Sequence, residues 1–219
     1  MDVNDFKTVL PYVFILLKGA GVTVAISALA LIFAVVIGTA VGTLATAGVR
    51  FAYSLTRLYV ELIRSVPLLV LIFFAYYAIP VISKVNITPY GAATGALSIY
   101  GGAYMSEVVR SGIQSISKHQ WEAARALGLR YRLIMVLIVF PQALRVMVPA
   151  GIGIFIDLIK GSSVASIIGF VELMQTAVNV RNTIYNLSPI LLAGILYFCI
   201  CFGLSRLGAQ LEHRLQLGW

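Results

Sequence analysis

The chain has 219 residues, of which 60% are hydrophobic and 11% charged, and it carries a formal net charge of +8. Soluble domains average about 25% charged residues, so this composition excludes an ordinary soluble enzyme or binding module. The 16 basic residues are dispersed rather than gathered on one module. That excludes a nucleic-acid-binding surface and fits contact with anionic membrane lipid.

The start, MDVNDFK, has two Asp and one Lys in place of a basic leader, and no small-residue cleavage site follows a short apolar core. The first apolar run is therefore expected to be a retained span. Crossing a bilayer takes about 20 mostly apolar residues. Charge-free runs cover 19–49, 66–83, 85–106, 146–155 and 187–205. They place spans near Val22–Ala47, Val66–Ile82, Gly91–Gly112, Leu133–Ile159 and Leu187–Leu207. The pairs Gly38/Gly42 in the first span and Gly91/Gly95 in the third have the spacing that lets helix backbones approach closely. Thr94, Ser98 and Met105 share a stripe of the third span, which faces either a pathway or a neighbouring helix. In the fourth, Pro141 and Pro149 each remove a backbone hydrogen bond and predict kinks, with Gly151 and Gly153 following. Cys199 and Cys201 point to different faces of the last span and read as small buried apolar residues.

Between the last two spans lies 161–180, GSSVASIIGFVELMQTAVNV. A charge at a helix centre costs about 2.5–3.5 kcal/mol on insertion scales. Glu172 and Gln175 therefore argue for an irregular or re-entrant external segment covered by protein. The expected fold is an all-α transmembrane bundle of five spans in a single domain, 1–219. With the N-terminus outside, the inner segments hold nine Lys and Arg and the outer ones five, Lys7 among them. The positive-inside rule thus gives N-out, C-in.

The segment 117–141, SKHQWEAARALGLRYRLIMVLIVFP, concentrates charge on the inner side between the third and fourth spans. Ser117 and Gln120 have the spacing of a capping box. Glu122 suits the helix dipole, alanines 123, 124 and 126 favour helix, and Gly128 is placed to end it with Arg125 near the end. A free-standing helix of about three turns, too short to span, is predicted over 118–128.

Other charges near the spans include Glu61 and Arg64, and Glu107 and Arg110. Each pair is three residues apart and so shares a helix face. With Arg145 they read either as ion pairs that anchor helices or as a gate near the inner interface. Asp157 and Lys160 end the fourth span on its outer side, followed by Ser162, Ser163 and Ser166. Asp157 must be paired or line a wet cavity. No Gly-x-x-x-x-Gly-Lys-Ser/Thr phosphate cradle occurs in the chain, nor is any metal site expected.

Glu122-Ala123-Ala124, then Gly128, Ile138 and Pro141 at their spacing, resemble the EAA loop of ABC-importer permeases. The stretches ELIRSVPLLV (61–70), AYMSEVVRSGIQSI (103–116), FPQALRVMVP (140–149) and LIKGSSVASIIG (158–169) are similar to the polar amino acid permeases of the histidine/glutamine type. This resemblance implies five spans, N-out, in a bacterial cytoplasmic membrane. It implies pairing with a second, identical or homologous permease, two ATPase subunits that bind ATP and Mg, and an external solute-binding protein. The chain itself is then expected to hold no cofactor and to be no enzyme. Residues 118–128 become the coupling helix: Glu122 offers a charge partner, Ala123 and Ala124 allow close approach, and Gly128 turns the chain into the fourth span. Pro141 and Pro149 become hinge candidates, and Asp157, Ser163, Ser98 and Thr94 pathway candidates. Relatives often show Asn-Glu where this chain has Gly153 and Ile154, so Asp157 is an acid outside the family pattern. The rival readings are an ion-gradient-driven secondary transporter, which would usually show inverted repeats, and a channel or membrane scaffold.

Overall fold

A computed structural model describes residues 8–216; the MDVNDFK start, with Lys7, lies outside them. The described residues form helices joined by short turns. After a 3-10 turn at Leu10–Tyr12 come α1 (Val13–Ala45), α2 (Arg50–Ser65), α3 (Leu68–Ser83) and α4 (Pro89–Gln114). These lead into α5 (Lys118–Ala126), α6 (Tyr131–Ile168), α7 (Leu173–Ile184) and α8 (Ser188–Gln216).

Three stretches are long and apolar enough to cross a membrane: Leu10–Ala45, Tyr131–Ile168 and Ser188–Leu215. The pair α2–α3 passes the same test together but is bent by 101° at its break. The helix expected as the third span, α4, has 26 residues, which is about 39 Å at 1.5 Å per residue. It is less apolar because it is central. Fourteen of its residues are buried, most of them Gly, Ala, Ser or Thr, so packing against other helices replaces contact with lipid.

Glycine sets the main interface. A Cβ on Gly38 would lie 2.5 Å from Met105 Cβ, one on Gly42 2.7 Å from the Ser106 carbonyl oxygen, and one on Gly101 3.0 Å from Ala34 Cβ. The partners rise in number together, so α1 and α4 run parallel at backbone contact. The pair Gly91/Gly95 makes no such approach: nothing lies within 4 Å of a Cβ on Gly95. Against α4, α6 is antiparallel, with Gly112 beside Met147 and Gly101 beside Leu158. Against α6, α8 is antiparallel in turn, with Tyr197 near Ser162 and Gly208 on Ile152.

Two of the prolines sit beside irregular helical turns. Pro141 does not break α6; it follows a π-helical turn, Met135–Val139. Pro80 likewise follows the π turn Phe74–Ala78 in α3. A proline ring clashes with the carbonyl four residues earlier, and widening the preceding turn relieves that clash without stopping the helix. Pro149 sits inside continuous α6. The sharp break is at Val66–Pro67, where extended backbone separates α2 from α3.

The segment 161–180 is more ordered than expected. Its irregular part is limited to Gly169–Glu172, between the 3-10 end of α6 and the start of α7. Leu173 and Ala177 pack into a second cluster with Leu16, Ala20 and Ala193. Glu172 is fully buried and caps α7. Its carboxylate accepts from Gln175 N–H (2.8 Å), Thr23 Oγ (3.1 Å) and the Tyr197 hydroxyl. Thr23 Oγ accepts in turn from Leu173 N–H. The cost of burying this charge is met by three donors from α1, α7 and α8. The cysteines also differ from expectation: Cys199 is exposed on the chain surface and Cys201 half-buried, both as thiols.

Candidate functional site

The helix α5 ends where Gly128 adopts φ +72°. Leu129 N–H donates to the Ala124 carbonyl and Gly128 N–H to the Arg125 carbonyl. This pair of bonds is the Schellman closure that glycine favours. Its start departs from the capping box, since Ser117 makes no side-chain cap. Gln120 instead accepts from Gln142 Nε2 on α6. Ala124 is buried and Trp121 stacks on Tyr131, with ring centroids 6.1 Å apart. One side of α5 is thereby clamped to the first turns of α6. The other side presents His119, Glu122, Ala123 and Ala126, all exposed. Glu122 is 71% exposed with His119 Nδ1 at 3.7 Å, and Leu127, 79% exposed, projects from the end. Arg125 is exposed as well. The result is a short rod held at its base, with a thin alanine face outward.

The charged pairs do not form as a set. Glu107 and Arg110 do pair, at 2.8 Å and 3.2 Å. Glu61 does not pair with Arg64. It pairs with Arg57 one turn earlier, and Arg57 also reaches Glu107 at 3.6 Å. Arg57, overlooked in the sequence, therefore joins the two helices, and its i, i+4 spacing to Glu61 was the available signal. Arg64 points away, with its guanidinium 5.0 Å from the centre of the Tyr104 ring. Arg145 lines a cavity of about 600 Å³ between α6 and α8, together with Pro149, Gly153 and Glu212.

The Arg57 contact changes what a charge swap will do. Exchanging Glu107 and Arg110 is expected to lower the thermal stability of the solubilised protein, because the guanidinium brought to position 107 would then face that of Arg57. Adding Arg57→Gln to the swap relieves that contact, and recovery of stability is expected only in the triple variant. Wild-type stability in the double variant would show that Arg57 plays no part.

The pathway candidates separate into two groups. Asp157 and Lys160 pair at 3.1 Å, and both side chains are more than half exposed. Ser163 Oγ donates to the Lys160 carbonyl. Thr94 and Ser98 are buried in the core of the chain, where Ser98 Oγ donates to the Thr94 carbonyl. They share no surface with Asp157.

The chain is thus a bundle built round a central small-residue helix, with a short clamped helix at one end. The chain belongs to the family described as binding-protein-dependent transport system inner membrane component, which matches residues 34–217. It is a multi-pass membrane protein, and a transport subunit rather than an enzyme. Among curated proteins it is 40% identical, over 88% of this chain and 90% of the relative, to a probable glutamine ABC transporter permease protein of Bacillus subtilis. The arginine transport system permease protein of the same organism is 30% identical over 97% of both chains. Its L-cystine transport system permease protein is 34% identical over 92% of this chain and 86% of the relative. The crystal structure of an amino acid ABC transporter with histidines superposes with a TM-score of 0.90 at 30% identity, covering 98% of this chain and 100% of that one. An inward-facing methionine ABC transporter superposes at 0.83 with 22% identity, over 94% and 98%, and shares the fold.

Proposed function

We propose that this chain forms half of the translocation pathway for a polar amino acid or close analogue in a bacterial cytoplasmic membrane. It takes cargo from an external solute-binding protein and pairs with a second permease, identical or homologous. It is driven by a pair of ATPase subunits, which hold the ATP and Mg. The outward face of α5, with Glu122, Ala123 and Leu127 presented and Ala124 and Trp121 clamped behind, carries this reading. The alternation of helix directions supports five crossings: α1 one way, α2–α3 back, α4 parallel to α1, α6 back and α8 again with α1. With the N-terminus outside, α5 lies on the inner side, where an ATPase is reached. Asp157 and Ser163 then stand toward the outer half of the pathway. Pro141 and Pro149 remain hinge candidates, within a helix whose base is tied to α5.

Purification of the chain from native membrane tests the assignment. An ATP-binding subunit is expected to co-purify, and receptor-stimulated ATP hydrolysis is expected after reconstitution. A chain that purifies without any ATPase, or that transports on an ion gradient alone, would favour the secondary-transporter reading.

A further inference from the structure

The last helix, α8, changes character along its length. No charge occurs from Leu187 to Ser205, and Arg206 follows. Arg206 stands 18 residues after Ser188, about 27 Å along the helix, so a hydrocarbon layer about 30 Å thick ends beside it. From there on, α8 carries Arg206, Gln210, His213 and Arg214, all exposed. Their spacing sets them on one side of the helix, and they line a surface cavity of about 300 Å³. Among the described residues neither arginine makes an ion pair.

The same side continues into the apolar part of the helix. Phe202 and Phe198 lie one and two turns before Arg206, and both are exposed. Their rings stack with centroids 5.4 Å apart. The Arg206 guanidinium lies 5.0 Å from the centre of the Phe202 ring, a contact that holds it along the helix. Glu212, the one acidic residue at this end of α8, lies on another side, in the cavity that Arg145 also lines. An aromatic stripe at hydrocarbon depth therefore runs into a cationic cluster at headgroup level.

We infer that this side of α8 binds an anionic phospholipid, with the phosphate held by Arg206 and Arg214 and an acyl chain laid along Phe202 and Phe198. The planar fork of a guanidinium matches phosphate oxygens, and Gln210 and His213 add neutral N–H donors between the two arginines. Basic residues at the membrane surface attract anionic lipid, and here two of them converge on one cavity. Charge also decides against a second copy of this chain as the occupant. In a pair related by a two-fold axis normal to the membrane, this side would meet its own copy at equal depth, arginine against arginine. The site holds whichever face of the membrane this end of α8 occupies and whatever solute crosses.

The test uses the protein purified from membrane with the subunits that accompany it, stripped of lipid in a neutral detergent. The probes are phosphatidylglycerol and phosphatidylcholine with the same acyl chains, and bound lipid is counted by native mass spectrometry. The wild-type protein is expected to bind phosphatidylglycerol at least tenfold more tightly than phosphatidylcholine. Arg206→Gln and Arg214→Gln are each expected to weaken phosphatidylglycerol about fivefold, and the double variant about 25-fold. Arg206→Lys, which keeps the charge, is expected to recover most of the loss. Arg50→Gln removes an exposed charge from the start of α2 and is expected to stay within twofold of wild type. Equal binding of the two lipids by the wild type overturns the site. So does an equal loss in Arg50→Gln, since that marks net charge alone.

Two further measurements separate lipid from other occupants. Excess inorganic phosphate is expected to leave phosphatidylglycerol bound, because the acyl chain contributes as well as the phosphate. Displacement by inorganic phosphate overturns the lipid in favour of a free anion. The subunit composition of the double variant is expected to match that of the wild type, as is its thermal unfolding without lipid. Loss of a partner subunit in that variant marks this side of α8 as a subunit contact and overturns the lipid site.

Discussion

Replacing Glu172 with alanine is expected to destabilise the protein by about 3 kcal/mol, several times the effect of an average surface change. Its carboxylate is the common acceptor for Thr23, Tyr197 and the Gln175 amide, from three helices. Alanine leaves these donors buried without an acceptor, and each unmade bond costs about 1–3 kcal/mol. The Gln175 bond is also the α7 cap, worth about 1 kcal/mol, and rotation of the two hydroxyls toward other acceptors recovers part of the total. Glu172→Gln keeps the volume and one acceptor oxygen, but it turns an amide N–H toward a donor. About half the loss is expected there. Tyr197→Phe removes a single donor and is expected to lower stability by about 1 kcal/mol. Thermal unfolding of the solubilised complex measures all three. A change below about 0.5 kcal/mol for Glu172→Ala would show that the node does not hold α7 in place.

Gly128→Leu is expected to bring receptor-stimulated ATP hydrolysis down to the unstimulated level while the protein still inserts. The strain of a left-handed non-glycine residue is about 1–2 kcal/mol. Space is not the obstacle, since nothing lies within 4 Å of a Cβ there. The strain is relieved if the turn opens, and opening breaks the two bonds that end α5. The outward face then loses its fixed angle to α6, while the bundle behind it is unchanged. Gly128→Asn tolerates the same conformation and is expected to stay near wild type. Glu122→Lys reverses the charge of the exposed face and is expected to uncouple as strongly as Gly128→Leu. Hydrolysis and uptake measured together in proteoliposomes check these outcomes. Full stimulation in either Gly128→Leu or Glu122→Lys would remove α5 as the contact with the ATPase.

The residues that decide these two results were not equally legible. Gly128 was readable from the chain because its role is local: a helix must end, and glycine enters the left-handed region at least cost. The all-helical class and the outer spans were readable for a similar reason, since apolar length is a property of one segment. Gly38 and Gly42 carried the same spacing as Gly91 and Gly95, yet only the first pair meets another backbone. Spacing places two glycines on one face but says nothing of what that face meets.

The same limit applies to the polar residues. Glu61/Arg64 and Glu107/Arg110 have identical spacing, and only the second pair forms, because Arg57 competes for Glu61 and the Tyr104 ring takes Arg64. Gln120 has the spacing of a cap but is engaged by Gln142, 22 residues away. Glu172 reads as a residue that makes its segment irregular or re-entrant, whereas with donors from Thr23 and Tyr197 it caps a regular helix, α7. By itself the sequence determined what depends on neighbours along the chain: helix, apolar length, and where α5 stops. The tertiary structure decided what depends on distant partners: the direction of each helix, the contact of Arg57 with Glu107, and the burial of Glu172. Burying a polar group is tolerated only when partners are supplied, and for Glu172 two of its three donors come from other helices.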